Sequence, residues 1–375
     1  MADAFDFGTR ATPAIRALTA YDPGHDIPAL RLRFADRGGL LELGSNENAY
    51  GPSPSARAAA QAALAQLHRY PDPAGKALKA AIARLHGVRE EQVLLGNGSH
   101  ELLMQLAQVF SAPGEDIVAS RYCFAVYPIA AQAAGARLVL AEAFGEQAGM
   151  PLGHDLEALA AAVTPATKLV FFANPNNPTG TWFDTEALAD FLAKIPPEVL
   201  VVADEAYIEY ATDPALSSAM ALRTCFPNLV VARTFSKAYG LAGLRAGYLV
   251  ADASVVRAME PVRESFNLNA MALAAAEAAL ADSAHLDAVR RGNAAERARL
   301  ATALRNLGLA VLPSQTNFLL VRFGSGTAAL EQALFTRGVI LRPMAGYGLG
   351  HYLRVTVATP AENERLLAAL REVLA

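Results

Sequence analysis

Short apolar runs alternate along this chain with alanine-rich stretches of mixed polarity. Val93-Leu94-Leu95, Asp116-Ile117-Val118-Ala119, residues 137–140, Lys168-Leu169-Val170-Phe171-Phe172-Ala173, Val199-Leu200-Val201-Val202-Ala203 and Leu229-Val230-Val231-Ala232 lack the every-other-residue polarity of a half-exposed strand. They read as strands of a covered sheet. The spacing predicts helices near 54–67, over about 76–85, after the turn at Gly96–Ser99, and at 155–163. Strands alternating with helices from about 90 to 250 predict an α/β chain built on a mostly parallel, helix-covered sheet. A long helical stretch follows Phe266, and its portion 283–307 suits a helix joining two lobes. Residues 310–312, 316–322 and 352–357 add strands near the C-terminus, and 40–44 a short one near the start. Residues 1 to about 30 carry Pro13, Pro23, Gly24 and Pro28 and read as an arm that needs another surface to hold it. Abundant alanine favours helix throughout and blurs the periodicity, and no repeat or low-complexity linker stands out.

Composition narrows the possibilities. The 375 residues are 53% hydrophobic and 18% charged, enough to bury a large core, divided between two lobes. A net charge of −4 gives no general attraction to nucleic acid or to an anionic membrane. Cys123 and Cys225, without a CxxC or a Cys/His cluster, argue against a disulfide framework and against a metal site. No apolar run reaches spanning length, and MADAFDFGTR carries acids where a signal peptide carries bases, so the expected compartment is the cytoplasm.

Lysine is scarce: only Lys76, Lys79, Lys168, Lys194 and Lys237 occur, against 27 arginines. Lys237 stands in the stretch Thr234–Tyr248 that follows the run 229–232, at the carboxyl end of a strand, where open α/β sheets place ligands. Thr234 and Ser236 offer hydroxyls beside it, Arg245 a guanidinium suited to phosphate, and Gly240, Gly243 and Gly247 room for bends and close approach. This cluster suits plain anion binding, or a phosphate-bearing cofactor whose carbonyl condenses with the lysine. Gly96-Asn97-Gly98-Ser99-His100 lies between a strand and a helix, where free N–H groups bind phosphate. Taken alone it also fits a nucleotide-binding α/β protein. Asp204 ends another apolar run, a costly place for a carboxylate unless it meets a cation or caps a helix.

These segments, in this order, resemble the fold-type I pyridoxal-phosphate aminotransferases: Gly98-Ser99, Asn177-Pro178-Thr179-Gly180, Asp204-x-x-Tyr207, Ser236-Lys237 with Arg245, and Arg354. The resemblance implies a large domain with a mostly parallel seven-stranded sheet plus a smaller α/β C-terminal domain. Residues 1–45 would form an arm and the start of the small domain, 46–275 the large cofactor-binding domain, and 276–375 the small domain with the interdomain helix. It implies pyridoxal 5'-phosphate joined to Lys237, with Asp204 on the ring nitrogen and Tyr207 and Asn177 at the phenolic oxygen. Phe124 would stack on the ring, while Gly98, Ser99, His100, Thr234, Ser236 and Arg245 surround the phosphate. Tyr70, in His68-Arg69-Tyr70-Pro71, would reach the cofactor phosphate of a neighbouring subunit, which implies a homodimer with shared sites. Tyr21, Asn177, Arg342 and Arg354 would contact substrate. The arm, the Arg-Tyr-Pro motif and the loop Arg342-Pro343-Met344-Ala345-Gly346-Tyr347-Gly348 resemble the histidinol-phosphate aminotransferase branch. That branch implies transfer from L-histidinol phosphate to 2-oxoglutarate, giving imidazole acetol phosphate and L-glutamate. Ala49 replaces the family's usual proline and His100 its usual acid. An aromatic amino-acid aminotransferase, a phosphothreonine decarboxylase and a non-catalytic regulatory protein that binds the cofactor are the competing expectations.

Overall fold

The computed structural model describes residues 6–20, 24–35 and 38–374. Its strands are β1 (Leu41–Glu42), β2 (Val93–Gly96), β3 (Asp116–Ser120), β4 (Arg137–Ala141), β5 (Thr167–Ala173), β6 (Leu200–Asp204), β7 (Leu229–Thr234), β8 (Gly247–Val250), β9 (Ala310–Val311), β10 (Phe318–Arg322), β11 (Val339–Ile340), β12 (Arg342–Pro343) and β13 (Tyr352–Thr356).

A seven-stranded sheet runs in the order β2-β8-β7-β6-β5-β3-β4. All its neighbours are parallel except that β8 opposes both β2 and β7. The unbroken apolar runs find their reason here, because successive residues bury on opposite faces. Ile117, Leu169 and Phe171 pack with Leu102, Leu106 and Tyr127 on one side. Val118, Val170 and Phe172 pack with Leu188 and Phe191 on the other. Each such side chain contributes roughly 1.5–3 kcal/mol. The parallel direction brings the carboxyl ends of β2, β3, β5, β6 and β7 to one edge.

The helices start where a side chain accepts from a free N–H. Asp155 caps Leu156–Ala161, Asn269 caps Ala270–Ala281 and Asp282 caps Ser283–Asn306. The expected helix at 54–67 stops at Ala63 and tightens into a 3-10 turn over Leu64–Gln66.

A four-stranded antiparallel sheet, β12-β13-β10-β9, and the parallel pair β1-β11 make up the second body of strands. Leu41, Leu43, Leu300, Leu304, Leu319, Val355 and Leu366 share its core. The stretch 40–44 pairs only over two residues, because the Glu42 carboxylate turns back to accept from Gly44 N (2.7 Å) and Ser45 Oγ (3.1 Å). β10 begins at Phe318 rather than at the expected 316, because Thr316 Oγ1 accepts from Phe318 N at 3.2 Å and bends the chain there. Arg297, from Ser283–Asn306, is buried and donates to Thr316 O (2.8 Å), Thr212 Oγ1 (3.2 Å) and Gln315 Oε1 (3.2 Å). It thereby ties the two bodies of strands through one helix.

Candidate active site

The carboxyl edge of the large sheet opens into a cavity of about 250 Å³, lined among others by Asn46, Phe124, Asn177, Asp204, Tyr207 and Lys237. Lys237 follows β7 by three residues, and its amine donates to the carbonyls of Ser45 (3.2 Å) and Asn46 (3.3 Å). It stands 5.7 Å from the centre of the Tyr207 ring.

Asp204 is the last residue of β6 and is buried. Its carboxylate accepts from Tyr127 Oη (3.1 Å) and from Ala206 N (3.2 Å). The second contact is the cap-like alternative for this residue, which also lines the cavity. Burial is the main cause that pushes the carboxyl up to about 6, against the pull of those two donors. Among the described residues no ion pair closes on it. Tyr207, also buried, accepts from Asn46 Nδ2 at 3.0 Å.

The anion cradle forms where three strand ends meet. Gly96, Gly247 and Thr234 lie side by side across β2, β8 and β7. Arg245, just before β8 in the left-handed region at φ 58°, donates to Ser236 Oγ (3.1 Å) and Ala242 O (3.0 Å). Gly98 begins the helix Ser99–Phe110 at φ 84°, and a Cβ there would lie 2.5 Å from Arg245 Nη2. Only glycine lets this turn and the guanidinium share the space. Burial, and then Arg245, lower the pKa of His100. Gly243, expected to supply close approach, meets nothing within 4 Å.

Arg354, in the middle of β13, enters from the other side. Its Nη1 donates to Asn177 Oδ1 (2.6 Å) and its Nη2 to Gly44 O (2.7 Å), while Nε is buried with no partner among the described residues. Arg342 also lines the cavity. In the asparagine-proline turn, Asn174 and Asn176 bond the surrounding backbone, to Phe183 O and Tyr122 O. Asn177 alone of the three lines the cavity.

The structure thus gathers Ser99, His100, Phe124, Asn177, Asp204, Tyr207, Thr234, Ser236, Lys237, Arg245, Arg342 and Arg354 around one space, with Gly98 at its border. Tyr70 is elsewhere: it is 83% exposed and stacks on Phe266 with ring centroids 4.6 Å apart. Tyr21 lies outside the described residues. Sequence reasoning passed over Gly44, Ser45, Asn46 and Tyr127. Ser45-Asn46-Glu47-Asn48 follows the short strand at 40–44, and nothing in that run shows which residue turns inward.

The residues fit a phosphate-bearing cationic ring. A buried carboxylate, a guanidinium at Arg245 bonded to Ser236 beside Gly98, and a lysine amine all border one cavity. Comparison with known proteins points the same way. Residues 39–370 match the family model described as aminotransferase class I and II. The chain is 47% identical over 371 residues to histidinol-phosphate aminotransferase 2 of Pseudomonas fluorescens, covering 99% of each. It is 46% identical to histidinol-phosphate aminotransferase 1 of Cupriavidus pinatubonensis, covering 96% of this chain and 95% of that one. Among solved structures, the histidinol-phosphate aminotransferase of Sinorhizobium meliloti in complex with pyridoxal-5'-phosphate superposes with a TM-score of 0.86 at 34% identity, covering 99% of this chain and 98% of that one. With the family model spanning most of its length and these relatives matched end to end, the chain belongs to the class I and II aminotransferases, in their histidinol-phosphate aminotransferase branch.

Proposed function

We propose that this protein is a histidinol-phosphate aminotransferase: it moves the amino group of L-histidinol phosphate to 2-oxoglutarate, using pyridoxal 5'-phosphate. The relatives matched over their full length carry that activity in their names, and the related Sinorhizobium meliloti structure holds that cofactor. The observation that carries the reading is the convergence of Lys237, Asp204 and the Ser236–Arg245 cradle on one cavity that also holds Arg354 and Arg342.

Each residue's role follows from its chemistry. The bound cofactor supplies an electron sink and a carbonyl that carries the amino group between the two half-reactions. Arg245, Ser236, Thr234 and the N–H groups following Gly98 hold its phosphate, and Phe124 offers a ring face. Asp204, buried and anionic when a cation faces it, keeps the ring nitrogen protonated. Asn177 and Tyr207 address the phenolic oxygen. The amine of Lys237 would hold the cofactor's carbonyl and, when free, would move a proton at the substrate's Cα. It donates to two backbone carbonyls, those of Ser45 and Asn46. Arg354 binds the substrate's anionic group by its planar fork, and the buried unpartnered Nε gives it a donor to spare. Arg342 supplies a second cation, which suits a phosphate on one substrate and a second carboxylate on the other. The arm residue Tyr21 belongs to the same proposal.

We assign residues 1–45 to the arm and the start of the small domain, 46–275 to the large domain and 276–375 to the small one. The pairing of β1 with β11 supports the first boundary. The active form is a homodimer. Tyr70, with Leu67 59% and Leu64 48% exposed nearby, presents an apolar face to a second copy. The compartment is the cytoplasm, in keeping with two free cysteines, one of them exposed. No described helix is long and apolar enough to cross a membrane.

A panel of amino donors with 2-oxoglutarate as acceptor tests the assignment. Histidinol phosphate should give the highest kcat/KM. A clear preference for phenylalanine or tyrosine would overturn it in favour of an aromatic amino-acid aminotransferase.

A further inference from the structure

Asn46 lies in the loop just before Ala49, outside the five segments that carry the family resemblance. It is 1% exposed and adopts φ 56°, the left-handed region that asparagine tolerates better than most residues. Its N–H donates to Thr356 Oγ1 (3.0 Å), and its carbonyl accepts from Asn317 Nδ2 (3.0 Å) and Lys237 Nζ (3.3 Å). Its side chain reaches Tyr207, with Nδ2 donating to the phenolic oxygen at 3.0 Å. The other end of the amide, Oδ1, accepts from Thr356 Oγ1 at 3.4 Å. A backbone so pinned on both sides leaves the carboxamide little freedom.

That arrangement fixes the sense of the next hydrogen bond. A tyrosine hydroxyl has one proton. With Asn46 occupying an acceptor lone pair of Tyr207, the hydroxyl proton is left to point away from Asn46. Tyr207 lines the cavity, so that direction leads to whatever acceptor the cavity binds. We propose that Asn46 is a positioning residue that sets Tyr207 as a hydrogen-bond donor into the cavity and at the same time seats the resting amine of Lys237. The inference rests on the proposed cofactor, because its phenolic oxygen is the acceptor in question. The charged and titratable groups around Tyr207 include Lys237, Asp204, Arg354, Tyr127 and Tyr210, all present in every variant below.

The test is a spectrophotometric pH titration of the lysine-linked chromophore in the holoenzyme. A donor on the phenolic oxygen competes for the charge that holds the chromophore's proton, so losing it raises the pH at which that proton leaves. Asn46→Gly keeps the left-handed backbone and removes only the carboxamide. It should raise the transition by about one pH unit, the scale of one hydrogen bond to an ionised group. In a Tyr207→Phe background the same substitution should leave the transition where Tyr207→Phe alone puts it. An unchanged transition in Asn46→Gly, or an equal shift with and without Tyr207, would overturn the proposal. Should Asn46→Gly fail to hold cofactor, Asn46→Asp serves in the same two backgrounds. It keeps the shape but presents an acceptor to Tyr207, and its shift should again be larger with the hydroxyl present; an equal shift in both would overturn the proposal. Failure of the wild-type protein to form any chromophore would instead reject the cofactor reading on which this rests.

Discussion

At the scale of single residues, the site depends on one buried carboxylate and the group behind it. Tyr127 lies in the apolar core, stacked on Phe171 with ring centroids 5.0 Å apart, and extends its hydroxyl to Asp204. It stabilises the ionised carboxylate in a place where burial opposes ionisation. Tyr127→Phe keeps the ring and removes the donor, so the Asp204 carboxyl should titrate higher still. A cationic ring nitrogen needs the carboxylate ionised, and cofactor affinity should therefore fall about tenfold near neutral pH. The sign fixes the pH profile: the deficit should shrink as pH rises past the new pKa and widen below it. Titrating apoenzyme with pyridoxal phosphate at several pH values measures this, and a deficit independent of pH would contradict it. Lys237 and Asp204 were legible from the residues themselves, a scarce lysine beside hydroxyls and a guanidinium and a carboxylate closing an apolar run, whereas Asn177 and Arg354 were legible through the family motifs in which they stand. Tyr127 and Asn46 were not. The hydrogen bonds that give them meaning span 77 and 161 residues of chain, and each sits in a local pattern that an ordinary core aromatic or loop asparagine satisfies.

At the scale of elements, parallel strand ends supply the catalytic groups and the antiparallel β8 supplies the tightness. A Cβ on Gly247 would lie 2.5 Å from Ser99 N and 2.7 Å from Gly98 C, both backbone atoms with nowhere to move but into the phosphate cradle. Gly247→Ala should lower cofactor affinity by more than tenfold and lower the melting temperature as well. Gly243→Ala, facing open space, should change neither beyond about 0.5 kcal/mol. Thermal shift with and without pyridoxal phosphate compares the two variants, and equal behaviour would remove the argument for close approach. The large sheet was readable because residues buried on both faces leave unbroken apolar runs. The order of its strands was not, nor was the pairing of β1 with β11, two residues on each side whose partners lie nearly 300 positions apart. Pairings that short leave no periodicity to read. The Ala-rich helices at 155–163 and beyond Phe266 were legible as stretches, while the caps that start them, Asp155, Asn269 and Asp282, emerge only in the structure.

At the scale of the whole molecule, two bodies of strands meet over the cavity, and residues from both close it. Lys237, Asp204 and Arg245 come from the large sheet, Arg354 and Arg342 from the small one, and Asn46 from the loop between β1 and the helix Pro54–Ala63. Arg297 and Asn293, on the joining helix, both donate to the carbonyl of Thr316, and Arg297 also reaches across to Thr212 Oγ1, so this guanidinium contacts both bodies. The sequence pattern gave the existence of two lobes but not this shared closure, because it arises only when distant strands are stacked. The central claim is that one amine, facing a buried aspartate and a phosphate cradle, carries a vitamin B6 aldehyde. Borohydride reduction of the purified protein, followed by intact mass and peptide mapping, tests it most directly. One pyridoxyl-phosphate adduct per chain on Lys237 is the expected result; no adduct, or one on Lys76, Lys79, Lys168 or Lys194, would contradict it.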